Sequence, residues 1–246
     1  VIKIGTDVFR YCNSLKSIRI PDSVTDIGYR AFWGCSSLEN VVLSDSMTVL
    51  KSDLFYYCSN LKSVQVPNSL TRIEAAFLGC SSLESIWIPG YVEEINGAFR
   101  SCSSLKNVRI PNSVTKMRLA FSGCSSLENI YVPDSVTEMD NAFAGCSKLK
   151  SVNISNSVTN LGMRTFLGCS SLENIYIPDS VTEIGQECFS GCTNLKNVRL
   201  SDSLKTIRSY VFYKCENLKN IVIPDSVVKM ENAVFRYCSK LREITP

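Results

Sequence analysis

Twelve cysteines and not one histidine stand in this chain of 246 residues. Eleven of the twelve keep a beat: Cys12, Cys35, Cys58, Cys80, Cys102, Cys124, Cys146, Cys169, Cys192, Cys215 and Cys238 follow one another at intervals of 22 or 23 residues. Thiols can pair, hold a metal or attack a substrate, and each use makes its own demand on placement. A thiolate metal site needs four ligands converging tetrahedrally, which a single file without histidine does not supply. Neighbours in such a file would have Cα atoms about 5 Å apart, yet parallel side chains in register keep their Cβ atoms equally far apart, beyond the roughly 3.5–4.5 Å of a disulfide. Eleven is also an odd number to pair off. The missing histidine removes the commonest general base, so nucleophilic catalysis lacks a partner. What remains is packing, because a reduced, buried thiol behaves as a small hydrophobe. Cys188, the twelfth, stands where other units carry Ala31, Ala76 or Ala142, and reads as a small-residue substitution in preference to half of a C-x-x-x-C pair with Cys192.

The sulfurs recur because everything around them recurs. "GCSSLENIYIPDSVTEIG" fills residues 168–185 and "GCSSLENIYVPDSVTEM" residues 123–139. From its cysteine each unit reads C-x-x-L-x-x-[IV]-x-[ILV]-[PS]-x-[SY]-[VLM]-x-x-[ILM], then three or four residues, a small or apolar residue, Phe, two residues and the next cysteine. Self-similarity at this period means a solenoid. The L-x-x-I-x-I stretch, Leu15, Ile18 and Ile20 in the first full unit, alternates like a strand with one covered face. Proline follows it in seven units (Pro21, Pro67, Pro89, Pro111, Pro133, Pro178 and Pro224) and ends the pairing, having no N–H to give; Ser44, Ser155 and Ser201 replace it elsewhere. The V-T-x-I segment, Val24 to Ile27 in the first unit, predicts a second short extended piece. Stretches such as "GYRAFWGC" at 28–35, with Gly before Cys in six units, predict one helical or 3₁₀ turn and then a tight corner. One coil cannot cover its own apolar side chains, whereas stacked coils cover one another.

"SVTDIGYRAFWGC" at 23–35 and "PDSVTEIG" at 178–185 are similar to the leucine-rich repeats of the BspA-like, Treponema-type class, and the resemblance extends over essentially the whole chain. It implies a leucine-rich-repeat solenoid of the α/β class, strand-rich. A parallel sheet would form one face, with short extended segments and single helical turns elsewhere and 22–23 residues per coil. Residues 1–246 are then one solenoid of about ten full repeats with partial repeats at both ends. Because 1–9 is the second half of a coil and "LREITP" the first half of another, neither with a polar cap, a segment of a longer protein is expected. The class also implies a surface or secreted protein concerned with adhesion and protein binding. Gly90-Tyr91 in place of the usual x-Ser, and an I-G pair kept in only some units, depart from the pattern at turns.

Function must then rest on positions the repeat leaves free, which fall in three columns. The first reads Lys16, Glu39, Lys62, Glu84, Lys106, Glu128, Lys150, Glu173, Lys196, Lys219 and Arg242. Its alternating signs predict cross-strand ion pairs and a history of duplication in two-coil blocks, with Glu216 and Glu243 compensating the basic residues at its end. The second, from Ser17 and Asn40 to Asn197 and Asn220, is small and polar and predicts side-chain hydrogen-bond ladders. The third varies: Arg19, Val42, Gln65, Trp87, Arg109, Tyr131, Asn153, Tyr176, Arg199 and Val222. Trp, Tyr and Arg offer large contact area with few rotors to freeze, which is why they dominate binding hot spots. Arg19, Trp87, Arg109, Tyr131, Asn153, Tyr176 and Arg199 are therefore the candidate binding residues. For Trp87, Arg109 and Tyr131 two readings stay open: a docking trio, or an arginine sandwiched between rings to stabilise the sheet. The trio lies in the four 22-residue units between Cys58 and Cys146, where the shortened far side predicts a flatter sheet. Tyr11, Trp33, Tyr56, Tyr57, Tyr213 and Tyr237 at the corners are either packed between coils or an edge patch. Asn153-Ile154-Ser155 is a glycosylation sequon, meaningful only in a eukaryotic secreted protein.

Net charge is only +3 and the two signs are interspersed, which leaves little field to gather nucleic acid or anionic lipid, even though aromatics and arginine on a strand face could stack bases. No run of 18 apolar residues exists to insert in a membrane. Columns replace the converging groups catalysis requires, so neither enzyme, cofactor nor metal is expected. The expectation is a non-catalytic recognition module for a protein or glycan ligand on the sheet face, outside the cell, with a structural spacer as the rival.

Overall fold

The computed structural model describes residues 2–245, and within them nineteen strands of two or three residues and no helix. One series of strands comes from the L-x-x-I-x-I stretches, beginning Ser17–Arg19, Asn40–Val42 and Ser63–Gln65 and ending at Glu243–Thr245. A second comes from V-T-x-I, beginning Lys3–Ile4 and Asp26–Ile27. Every pairing is parallel and advances by one coil, as in Ser17↔Asn40 and Asn40↔Ser63 on the first face and Lys3↔Asp26 on the second. In the 22-residue coils the second face thins to single bridges, Arg72↔Glu94, Glu94↔Lys116 and Lys116↔Glu138. These are the coils whose missing residue lies between the V-T-x-I segment and the phenylalanine.

The third side corrects the expectation of a helical turn. A helix needs an unbroken run of right-handed residues. Here the residue before every one of the eleven cysteines is left-handed, from Tyr11 (φ 58) and Gly34 (φ 67) to Lys214 (φ 58) and Tyr237 (φ 64). In ten coils the residue four earlier is left-handed too, as at Asp7, Arg30, Leu119 and Ala233. The chain therefore folds as a series of i→i+3 turns, Trp33 N–H to Arg30 C=O, Cys35 to Phe32 and Leu38 to Cys35 in the first complete coil. The amides left over point along the solenoid, and Phe32 and Gly34 donate to Leu54 and Tyr56 of the next coil.

All eleven phenylalanines line up inside. Consecutive rings from Phe9 to Phe235 stack with centroids 5.1–5.8 Å apart and planes within 14° of parallel. The repeat's leucines, isoleucines and valines complete one continuous core. The cysteines sit in it as expected, all twelve free and eleven of them buried; Cys12, on the first rung, is exposed. Their thiols also do something packing alone did not suggest. From Cys35 to Cys238, each ladder Sγ–H donates to the carbonyl of the phenylalanine in the preceding coil, at 3.0–3.3 Å. Burial pushes Cys102, Cys146 and Cys188 up from the ordinary 9.0 to about 12.

The polar letters of the repeat hold coil to coil. The serine of P-x-S-V donates to a valine carbonyl of the preceding coil, Ser113 to Val92 and Ser135 to Val114, both at 2.6 Å. The serine after cysteine does likewise, Ser81 to Ser59 and Ser103 to Ser81. Where serine replaces proline it is buried, and the Oγ of Ser44, Ser155 and Ser201 accepts the N–H two residues on. Glycine is required by contact at Gly185, where a Cβ would lie 2.6 Å from the Gly162 carbonyl carbon and the Met163 nitrogen; Gly90 has nothing within 4 Å. Gly185→Ala should cost about 1–3 kcal/mol by forcing two coils apart, whereas Gly90→Ala should stay within about 0.5 kcal/mol. Denaturant titration of both variants checks this, and equal losses would refute it.

Candidate recognition face

The first strand series carries the variable column outward. Trp87, Tyr131 and Tyr176 are 56, 56 and 54% exposed, and Arg19, Arg109, Asn153 and Arg199 are exposed beside them. Tyr131 is in register with Asn153, and Tyr176 with Arg199. Trp87 and Arg109 fall one residue past the strands Ser85–Ile86 and Asn107–Val108.

Hydrogen bonding divides this face into units the repeat alone did not announce. Its strands form one group of three and four pairs, with breaks after the rungs of Ser63, Asn107, Ser151 and Asn197. The charge column obeys the same division. Lys62–Glu39, Lys106–Glu84, Lys150–Glu128 and Lys196–Glu173 are ion pairs of 2.8–3.0 Å, each inside a hydrogen-bonded group and none across a break. Lys62 holds the Glu39 carboxyl below the usual carboxylate range, and Lys150 does the same for Glu128. The polar column follows, with Ser63 bonded to Asn40, Ser151 to Asn129 and Asn197 to Asn174. At each break the last inward residue is partly uncovered, as at Val64, Val108, Val152 and Val198, while Ile86, Ile130, Ile175 and Ile221 beyond it are buried. The alternation of Lys with Glu was the visible trace of this pairing. The expected compensation at the basic end is not found: among the described residues neither Glu216 nor Glu243 forms an ion pair with Lys219 or Arg242.

The arginines of the variable column differ sharply. Arg199 lies over the Tyr176 ring, 5.0 Å from its centroid, and is chelated by Asp179 at 2.6 and 3.2 Å and by Asp202 at 3.1 Å. Asp179 raises the Arg199 pKa, and Arg199 in return lowers that of Asp179. Arg109 has no ion pair, hydrogen bond or ring contact from its guanidinium among the described residues, so the sandwich between Trp87 and Tyr131 is not formed; the stacking occurs instead at Tyr176 and Arg199. A cavity of about 640 Å³ opens over the same end of the face, between Val152 and Thr245, and does not reach Trp87, Arg109 or Tyr131. Asn220, Glu243 and Thr245, none of them a candidate binding residue from the sequence, help line it.

The corner aromatics touch one another along the coil edge without being sealed there, since Tyr11, Tyr57 and Tyr237 remain 57, 56 and 54% exposed. Trp33 and Tyr56 stack at 3.9 Å, Arg10 covers both Tyr11 and Trp33, and the Tyr11 and Tyr57 rings lie where Gly34 and Gly79 leave room. No group of three or more metal-ligating side chains occurs among the described residues, and none of their elements is a helix long and apolar enough to cross a membrane.

Parallel coils of 22–23 residues, a strand on one face and an internal Leu and Phe file define a leucine-rich-repeat solenoid. The chain belongs to the BspA type leucine-rich repeat family, whose repeat region of six copies matches residues 2–119, 74–186 and 117–242. A leucine-rich cell surface protein from Faecalibacterium prausnitzii is similar at 29% identity over all of this chain and 83% of its own, with a TM-score of 0.66. A leucine-rich repeat protein from Bacteroides ovatus is also 29% identical, over all of this chain and 78% of its own, with a TM-score of 0.73. The pneumococcal vaccine antigen PcpA, 20% identical over 98% of this chain and 74% of its own, shares the fold with a TM-score of 0.66. No curated protein matches the chain.

Proposed function

We propose that this protein is a non-catalytic recognition module that presents Arg19, Trp87, Arg109, Tyr131, Asn153, Tyr176 and Arg199 on its sheet face to a protein or glycan ligand at the cell surface. The observation that carries the reading is a division of labour. Repeated polar side chains, Ser, Thr, Glu and Lys, are bonded between coils, whereas the side chains of Trp87, Arg109 and Tyr131 vary, protrude and make no hydrogen bond, ion pair or ring contact among the described residues. Rigid rings and an unpaired guanidinium on a preorganised face bind at small cost in side-chain entropy. The likeness to a cell surface protein of F. prausnitzii supports the location. Replacing Trp87, Arg109 and Tyr131 together with alanine should leave the thermal midpoint within a few degrees and reduce binding to immobilised cells and extracellular matrix by tenfold or more. Unchanged binding would refute the site, and a wild-type protein that binds neither surface would leave a spacer as the better reading.

A further inference from the structure

The cavity at 152–245 points to a ligand class, an inference that rests on the sheet face being the recognition face. Its floor is the uncovered break between hydrogen-bonded strand groups, with Val198 partly exposed and Val222 57% exposed. One wall is a row of amides, in which Asn197 Nδ2 donates to Asn174 Oδ1 at 2.6 Å while the Asn220 side chain is unbonded among the described residues. The other wall is the Tyr176 ring, held in place by Arg199 and still 54% exposed. The two charged residues that line it, Arg199 and Glu243, are opposite in sign, and Arg199 is already chelated by Asp179 and Asp202. Nothing here favours a charged ligand, because a balanced rim provides little steering potential for either sign.

The spacing of the polar groups narrows the choice. Amides recur once per coil, about 4.8 Å apart, whereas an extended peptide laid along the solenoid turns its N–H and C=O groups to one side only at every second residue, about 6.6 Å, and falls out of step. A chain of pyranose rings advances by close to the coil spacing, offers hydroxyls to amides and a carboxylate on one side, and lays an apolar ring face on tyrosine and valine. We infer that this cavity binds a neutral oligosaccharide running along the solenoid axis, stacked on Tyr176 and hydrogen-bonded by Asn197, Asn220 and Glu243. At about 640 Å³ it has the volume of an ordinary small-ligand site.

Calorimetric titration of the whole chain with hexasaccharides of β-1,4-linked glucose, xylose, mannose and N-acetylglucosamine, and of β-1,3-linked glucose, tests this. At least one should bind. Tyr176→Ala and Asn220→Ala should each weaken that binding tenfold or more at unchanged thermal midpoint, and Tyr176→Phe should keep it, since the ring and not the hydroxyl carries the stacking. No binding across the panel, or Tyr176→Ala binding like the wild type, overturns the inference. If the panel fails while the triple alanine variant still abolishes attachment to cells and matrix, the recognition module stands and only the ligand class falls.

Discussion

Raising the pH from 8 to 10 should drive this protein toward unfolding. In the folded state burial pushes the thiols of Cys102, Cys146 and Cys188 up to about 12, and raises those of Cys80, Cys124, Cys169, Cys192 and Cys215 well above the ordinary value of 9.0. A group whose folded pKa is raised contributes full stability below its unfolded pKa and loses it as pH climbs toward the folded value. The window therefore opens near pH 9, where the unfolded chain begins to release protons the folded chain retains. At pH 10 Cys102, Cys146 and Cys188 each favour the unfolded chain by about 1.4 kcal/mol, together roughly 4 kcal/mol, a large share of an ordinary domain's stability, and the other five act in the same direction. A short iodoacetamide pulse at each pH, counted by mass spectrometry beside far-UV circular dichroism, reads both sides of the equilibrium. Cys12 alone should be rapidly modified at pH 8, and all twelve cysteines should react as the dichroism collapses. Gradual modification of the buried sulfurs with the dichroism intact would mean that the thiols are not sealed.

Phe121→Ala should cost about 3–5 kcal/mol, the usual toll of emptying a large aromatic from a tight core. Phe121 is fully buried between Phe99 at 5.5 Å and Phe143 at 5.8 Å, in the middle of the file. Its loss removes two stacked contacts and leaves a void that two coils share. Because a solenoid's stability is a sum over units and nearest-neighbour interfaces, a weak central interface should also divide unfolding into two steps. Phe235, half-buried and stacked on Phe212 alone among the described residues, is the comparison, and Phe235→Ala should lose clearly less. Urea titrations of the two variants decide the matter, and similar losses would show that the stack carries no positional weight.

What the sequence revealed and what it hid follow from the range of each interaction. Leu, Ile, Pro and Cys repeat because every coil meets the same neighbours, so the strand face and the core were legible from spacing. The third side was not. Its left-handed positions are occupied by glycine in six coils, but also by Tyr11, Tyr57, Ser101, Lys214 and Tyr237, residues with no preference for that conformation. Stacking pressure imposes it, so local sequence could not report it. The variable column was readable as a list of exposed residues, and the exposure of Trp87 and Tyr131 agrees. The fate of Arg199 was not readable. Its carboxylates come from Asp179, one coil earlier, and from Asp202, three residues on, and they meet only once the coils are stacked. The cavity beside them likewise exists only because the sheet is broken there, and no single repeat records a break between repeats.

The grouping of strands sets the increment by which such a molecule can change length. Excising the coil that carries Glu84 would set Lys62 against Lys106 and join two strands that each now end a bonded group. Excising that coil together with the next would bring Lys62 up to Glu128, restoring both the sign change and the seam. Between Glu84 and Lys196, growth or loss by even numbers of coils keeps this pattern; a change by one does not.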